Sequence, residues 1–481
     1  MRDRRTQASL FIVVALLAIG ACSEDDGASN SAPSAGGTAA SAGSAGVGGT
    51  LGSGGSSGGA DGVGGTGGSA AGKGGTSGSI DAAAGSGSAG SLDGSAGTSG
   101  VGGSGGAGAF TGTAARPLLP DSQATDFTIL EYLARGGRVT APVTDDWDPT
   151  GGVGDVAGFT PTYTVAATGG THTTVQAAID AAVAAGGTTR RYILVAPGEH
   201  REVVCVPGTA PPITLYGSSA DAAATVIVFD NYSGKAKPVG QPANPCNPST
   251  SSGTYGTSGS ATFAAYANEF QAKNITFSNN TNESAITGSL QAVALMTQAD
   301  KLVFENVRVL GNQDTLYVKS PSVDMISRAY FKSSYVEGDV DFVFGRGTFV
   351  LDGCEIKYLT ARQGTKGGNP LAPSTDARNP YGILVINSTF TAEAGTAAGS
   401  IQLGRAWDES QTDLATYTRN VATGIYPNGQ ALVRESTLGA HIAAAPWRAA
   451  ATTNRPFNSQ PGTVPANRLY EFANTGPGSA K

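Results

Sequence analysis

From about Arg116 onward the chain predicts an all-β fold, a solenoid of stacked β-coils with a short helical cap at its N-terminal end. Three observations carry this. Five alternating apolar runs resemble one another: "FQAKNITFSN", "LVFENVRVLG", "AYFKSSYVEG", "FVLDGCEIKY" and "ILVINSTFTA". They begin at Phe270, Leu302, Ala329, Phe349 and Ile383, in steps of 32, 27, 20 and 34 residues. Each carries Asn, Ser or Cys near its middle, and no helical period lies between them. Uneven repeats of one strand set each suit a parallel β-helix, in which apolar residues stack inside and insertions leave as loops. A β-sandwich is the alternative. The absence of tight Asn-Gly hairpin signals and the coil-sized spacing speak against it.

The elements follow in order. Residues 1–21, "MRDRRTQASLFIVVALLAIGA", have a basic head and an apolar stretch from Leu10 to Ile19. That stretch is short for a membrane span and fits a secretory signal. Cys22 directly after "IGA" resembles the lipidation site of bacterial lipoproteins. Residues 22–115 are Gly, Ser, Ala and Thr, and hold nearly half of the 71 glycines. Such a segment buries too little apolar surface to offset its ordering entropy, so a flexible tether is expected. Residues 116–481 form the folded domain. "FTILEYLARGG" (127–137) predicts a short amphipathic helix. "THTTVQAAIDAAVAAGG" (171–187) predicts a second, capped by Thr173 or Thr174 and stopped by Gly186–Gly187.

Charge and cysteines narrow the function. A net charge of -7 with 14% charged residues argues against a nucleic-acid partner, which would need a basic stripe. After export, Cys205 and Cys246, both in Pro-containing loop-like contexts, form a possible disulfide; Cys354, in a strand pattern, reads as a small buried hydrophobe. The three histidines lie far apart, and nothing has metal-site spacing.

Chemistry concentrates in four stretches that place polar groups in apolar strands: "QAVAL" (291–295), "NQDTLYV" (312–318), "GDVDFVFG" (338–345) and "LGRAW" (403–407). Residues one coil apart in a β-helix lie about 4.8 Å apart. Gln291, Gln313, Asp314 and Asp341 stand at one-coil separations and are expected on one face, with Arg405 reaching it from a later coil. Two neighbouring carboxylates suit a nucleophile and an acid/base, an arginine stabilises the anionic one, and glutamine amides suit an oxyanion. Together they describe an acyl-transfer site without Ser or His. Asp339 reads as an incidental carboxylate in a loop or at a strand edge, and Tyr317 and Phe342 as core.

The four stretches, with "TVQAAIDAA", "ILVAPGEHRE", "KNITFSN" and "YEFANTGPGS", resemble the motif set of pectin methylesterases from about Tyr163 to the C-terminus. The resemblance implies a right-handed parallel β-helix and hydrolysis of C6 methyl esters of homogalacturonan. It implies Asp341 as nucleophile, Asp314 as general acid and then base, and Gln313 helped by Gln291 as oxyanion donors. Arg405 would hold Asp341 ionised, and Trp407 and Phe344 would line the groove against sugar rings. Arg346, in "FGRG", is a candidate for a substrate carboxylate. No metal or organic cofactor is implied, and the partner is methyl-esterified homogalacturonan. The segment 235–259 reads as an extended loop able to line the cleft. Ala406 stands where the family commonly has Pro, and Met296 where it commonly has Arg. The protein is expected as a monomer, exported, and held by a lipid at the outer membrane or cell surface, otherwise secreted. Two other classes remain open: a β-helix glycosidase or lyase, and a catalytically retired envelope carbohydrate-binding lipoprotein or thioesterase relative.

Overall fold

The computed structural model describes residues 111–360, 368–458 and 465–480. Cys22, the apolar leader and nearly all of the Gly-rich segment fall outside the described residues. Successive coils contribute strands to three sheets, of 12, eight and six strands, parallel throughout except for an antiparallel pair at one end of the largest. The five look-alike runs lie on adjacent strands of the 12-stranded sheet: Gln271–Lys273, Leu302–Glu305, Arg328–Lys332, Thr348–Asp352 and Ile383–Ile386. Their register aligns Ala272, Phe304, Phe331, Leu351 and Val385. These side chains point inward, and Phe304 stacks on Phe331 with centroids 4.6 Å apart.

A residue near the middle of each run is the corner between two sheets. Asn274, Asn306, Ser333, Gly353 and Asn387 all have positive φ, a conformation that Asn and Gly tolerate. Just beyond, a polar stack stitches the coils: the Ser334 hydroxyl accepts from the Val307 amide, Ser388 from Cys354, and Ser436 from Ser388. Cys354 is a buried free thiol in this stack, and burial pushes its pKa up to about 12.

The two predicted helices part company. Val175–Ala185 is helical, with the Thr174 hydroxyl accepting from the Ala177 amide. It presses Val175, Ala178, Ile179 and Ala182 into the solenoid interior, closing the first coil. The segment 127–137 does not form one helix. Only Ile129–Leu133 is α-helical, and Arg135–Arg138 pairs antiparallel with Ala141–Thr144. Gly136 is the reason: a Cβ there would come within 2.8 Å of the Arg328 guanidinium. Arg328, 1% exposed, pairs with Asp145 and Asp300 and donates to the Leu133 carbonyl. The segment thus lies along the outside of the 12-stranded sheet, burying Tyr132 and Leu133 with Tyr330, Val350, Leu384 and Leu432. Strands covered on both faces explain the near-continuous apolar runs. Thr111–Thr113 pairs with Arg116–Leu118, so the fold includes residues ahead of Arg116.

Candidate active site

"GDVDFVFG" crosses from the eight-stranded to the six-stranded sheet. Both flanking glycines are demanded sterically. A Cβ at Gly338 would meet Phe342 Cβ at 2.3 Å and the Asn312 carbonyl at 2.5 Å; Gly345 has φ +118° and leaves 2.2 Å to the Val318 carbonyl. Between them the chain turns at Asp341, whose φ is +49°, and Asp314 has φ +66°. Aspartate tolerates this conformation better than most residues, at some cost in strain. Leu316 pairs with Val343 and Val343 with Leu371. Asp314, Asp341 and Asn369 each precede this rung by two residues, so they stand at one corner on three successive coils. The Asp314 amide donates to Val340 O at 3.0 Å and the Asp341 amide to Asn369 O at 2.8 Å.

Asp341 is 2% exposed and fully engaged. Arg405 reaches it as a fork: Nε lies 3.0 Å from Oδ1 and Nη2 lies 2.5 Å from Oδ2. Asn369 Nδ2 donates to Oδ1 at 2.6 Å. Arg405 is set by an isolated bridge, Leu371 to Gly404, and by its own amide bond to Leu371 O at 3.0 Å. Asp314 is likewise buried, at 2%. The coils therefore bring both aspartates and the arginine to one place.

The glutamines belong to adjoining coils, the Ala292 amide donating to Gln313 O at 3.0 Å. Leu295 pairs with Leu316, so Gln291 corresponds to Asn312 and stands one residue out of step with Gln313. Gln291 is 4% exposed, and its amide oxygen meets no described hydrogen-bond partner. The Gln313 amide donates to Glu283 Oε1 at 3.0 Å, and Asn312 Nδ2 donates to Thr281 O. The segment closed by the Cys205–Cys246 disulfide returns here, the Ser233 amide donating to Gln291 O at 2.8 Å.

Four of the singled-out residues are more enclosed than their sequence contexts suggest, and one expectation, for Asp339, needs correction. The Arg346 guanidinium pairs with Glu409 and donates to Ser320, and Ser374 holds the other Glu409 oxygen. A carboxylate elsewhere in the chain satisfies it. Trp407 and Phe344 do not offer open ring faces. They are 3% and 2% exposed and pack with Tyr317, Met296 and Ala372. Tyr317 stacks on Phe344 at 4.2 Å, and Phe344 lies 5.7 Å from Trp407. Asp339 is no edge carboxylate; it is fully buried, near enough to Tyr358 to help raise that phenol's pKa, after burial itself.

Sequence reasoning missed Asn369, Glu283 and Arg448. Asn369 precedes a strand reading "LAP", too short and proline-bearing to announce itself. Arg448 follows the Gly404 to Trp447 bridge and occupies the rung after Arg405. Among the described residues, no cluster of three or more His, Cys, Asp or Glu is placed to hold a metal ion.

Residues 162–434 match the family model described as Pectinesterase. A pectinesterase of Ralstonia nicotianae is 51% identical over 375 residues, covering 77% of this chain and 93% of that one. The solved structure of rice weevil pectin methyl esterase has a TM-score of 0.64 and 32% identity, over 77% of this chain and 100% of that one. That of Escherichia coli YbhC has a TM-score of 0.65 and 31% identity, over 76% and 96%.

Proposed function

The chain belongs to the pectinesterase family and is a carboxylic ester hydrolase; from that premise we propose that it removes C6 methyl esters from homogalacturonan through Asp341. The observation that carries this is the Arg405 fork on Asp341, with Asp314 at the same corner one coil earlier. The relatives' names, pectinesterase and pectin methyl esterase, supply the substrate class.

In this reading an Asp341 oxygen attacks the ester carbonyl. The tetrahedral oxyanion takes N–H bonds from Gln313 and Gln291, donors whose backbones the coils hold in advance. The C–O bond to methoxide breaks as Asp314 gives its proton, releasing methanol and leaving an acyl anhydride on Asp341. Asp314, now a base, takes a proton from water as that water attacks the uronate acyl carbon. Collapse expels the Asp341 carboxylate and releases the uronic acid, which loses its remaining proton to solvent, so Asp341 and Asp314 regain their starting states. Arg405 and Asn369 hold Asp341 through charge-assisted bonds that orient its attacking oxygen. Right-handed winding of the coils follows the usual hand of parallel crossovers. The same proposal keeps the protein exported and anchored through Cys22, which labelled palmitate incorporation, lost in Cys22→Ser, tests.

The discriminating experiment measures methanol and new chain ends together on highly methylated pectin. Methanol without new reducing or unsaturated ends is expected. New ends without methanol would establish a glycosidase or lyase instead; neither product, on pectin or on methylated oligogalacturonates, would mark a retired relative.

A further inference from the structure

Among the described arginines around the site, Arg448 alone has no ion-pair partner among the described residues. Arg405 holds Asp341, Arg346 holds Glu409, and Arg455 holds Asp408. Arg448 makes no side-chain hydrogen bond or ion pair with any described residue, yet it is only half-exposed. Its position is set by the ladder. Phe344 pairs with Ala372, Leu371 bridges Gly404, and Gly404 bridges Trp447. The Arg448 amide donates to Gly404 O at 3.1 Å. Arg405 and Arg448 therefore occupy the same rung position on successive coils, about 4.8 Å apart along the backbone.

Two guanidiniums so placed repel, and half-burial adds a desolvation cost that a partner would normally offset. The pKa of Arg448 is accordingly pressed down, by burial first and then by Arg405, with Asp341 acting the other way. Asp341 carries one negative charge, already forked by Arg405 and bonded by Asn369, so it cannot fully neutralise two cations. The coil stack thus presents, next to the Arg405 rung, one cation with no ion-pair partner among the described residues.

We propose that Arg448 is a substrate-binding residue that takes the free carboxylate of a uronate neighbouring the one whose ester is cleaved. This rests on the esterase reading and adds a preference to it. A guanidinium accepts a carboxylate as a bidentate fork, whereas a methyl ester offers it only one neutral carbonyl acceptor. Each turnover converts an ester into a carboxylate, so a partly demethylated chain binds better than a fully methylated one.

The test uses the full chain, Arg448→Ala and Arg448→Lys, on homogalacturonan of nearly full and of low methylation. For Arg448→Ala, KM on the weakly methylated polymer should rise about tenfold while kcat stays within about twofold, since one charge-assisted fork is lost. On the nearly fully methylated polymer both constants should stay within about twofold, and Arg448→Lys should recover part of the loss. An equal change on both polymers would overturn the proposal by showing that Arg448 acts through Arg405. No change on either would overturn it outright. Calorimetric binding of unesterified oligogalacturonate needs no turnover and separates this proposal from the esterase reading. A loss of about tenfold in Arg448→Ala supports the proposal even in a protein that releases no methanol, and equal affinity in parent and variant refutes it.

Discussion

Two Arg–Asp forks stand close together in the chain and are put to different uses. Arg455 grips Asp408 at 2.7 and 3.1 Å, both side chains at most 1% exposed. Thr453 adds a hydroxyl at 2.5 Å, and the Tyr417 ring covers the guanidinium at 4.5 Å. Arg405 grips Asp341 with similar geometry, but its side chain is 15% exposed. Asp314 shares the Asp341 corner, and Arg448 shares the Arg405 rung. One fork is an internal strut, enclosed by its own partners; the other opens onto groups arranged along a face. The bond does not distinguish them; the neighbourhood does.

Variants can break this contrast. The largest effect should come from Asp314→Asn, which removes the acid/base: kcat should fall about 10³- to 10⁴-fold, with the melting temperature nearly unchanged. A variant retaining more than a tenth of the parent rate would remove Asp314 from the mechanism. Asp408→Asn should do the reverse. It strands the Arg455 charge inside the protein and should cost about 3–5 kcal/mol in denaturant unfolding, while kcat per folded molecule holds. Next in size, Gln313→Ala should lower kcat about 10²-fold with little change in KM, as for one oxyanion donor. A rise in KM alone would make Gln313 a binding group.

The smallest effect separates the acid sensitivity of the fold from that of the chemistry. Burial lowers the pKa of His441 to about 4 from 6.5. The unfolded chain therefore takes up that proton first as pH falls. Stability from a neutral His441 is full above about pH 6.5 and drains away towards pH 4. The melting temperature of His441→Asn should depend less steeply on pH across that window, with the activity profile keeping its shape. A parallel shift of both profiles would join the two sensitivities.

How much of this was legible in the sequence depends on which contacts are local in a coil. The runs beginning at Phe270, Leu302, Ala329, Phe349 and Ile383 are readable because every strand repeats an inward apolar position and a corner that accepts Asn or Gly. Asp341 and Asp314 stand out because they interrupt such runs. Asn369 and Arg448 do not, because their strands are short or reduce to single bridges. The engagement of Arg346 is set by Glu409, 63 residues away on a loop no pattern marks. The covering of Trp407 and Phe344 depends on Met296, Tyr317 and Ala451 from other coils. The helix expected over residues 127–137 lost its second half to a tertiary contact, the approach of Arg328 to Gly136.

The central claim is that Asp341, not its buried neighbour Asp339, carries the reaction. The direct measurement is methanol release from highly methylated pectin by the full chain, by Asp341→Asn and by Asp339→Asn, each compared at equal folded concentration. The account predicts a loss of about 10⁴-fold or more for Asp341→Asn, since a covalent nucleophile has no substitute, and a kcat within about tenfold of the parent for Asp339→Asn. Undiminished release by Asp341→Asn, or an equal collapse in both variants, would contradict it.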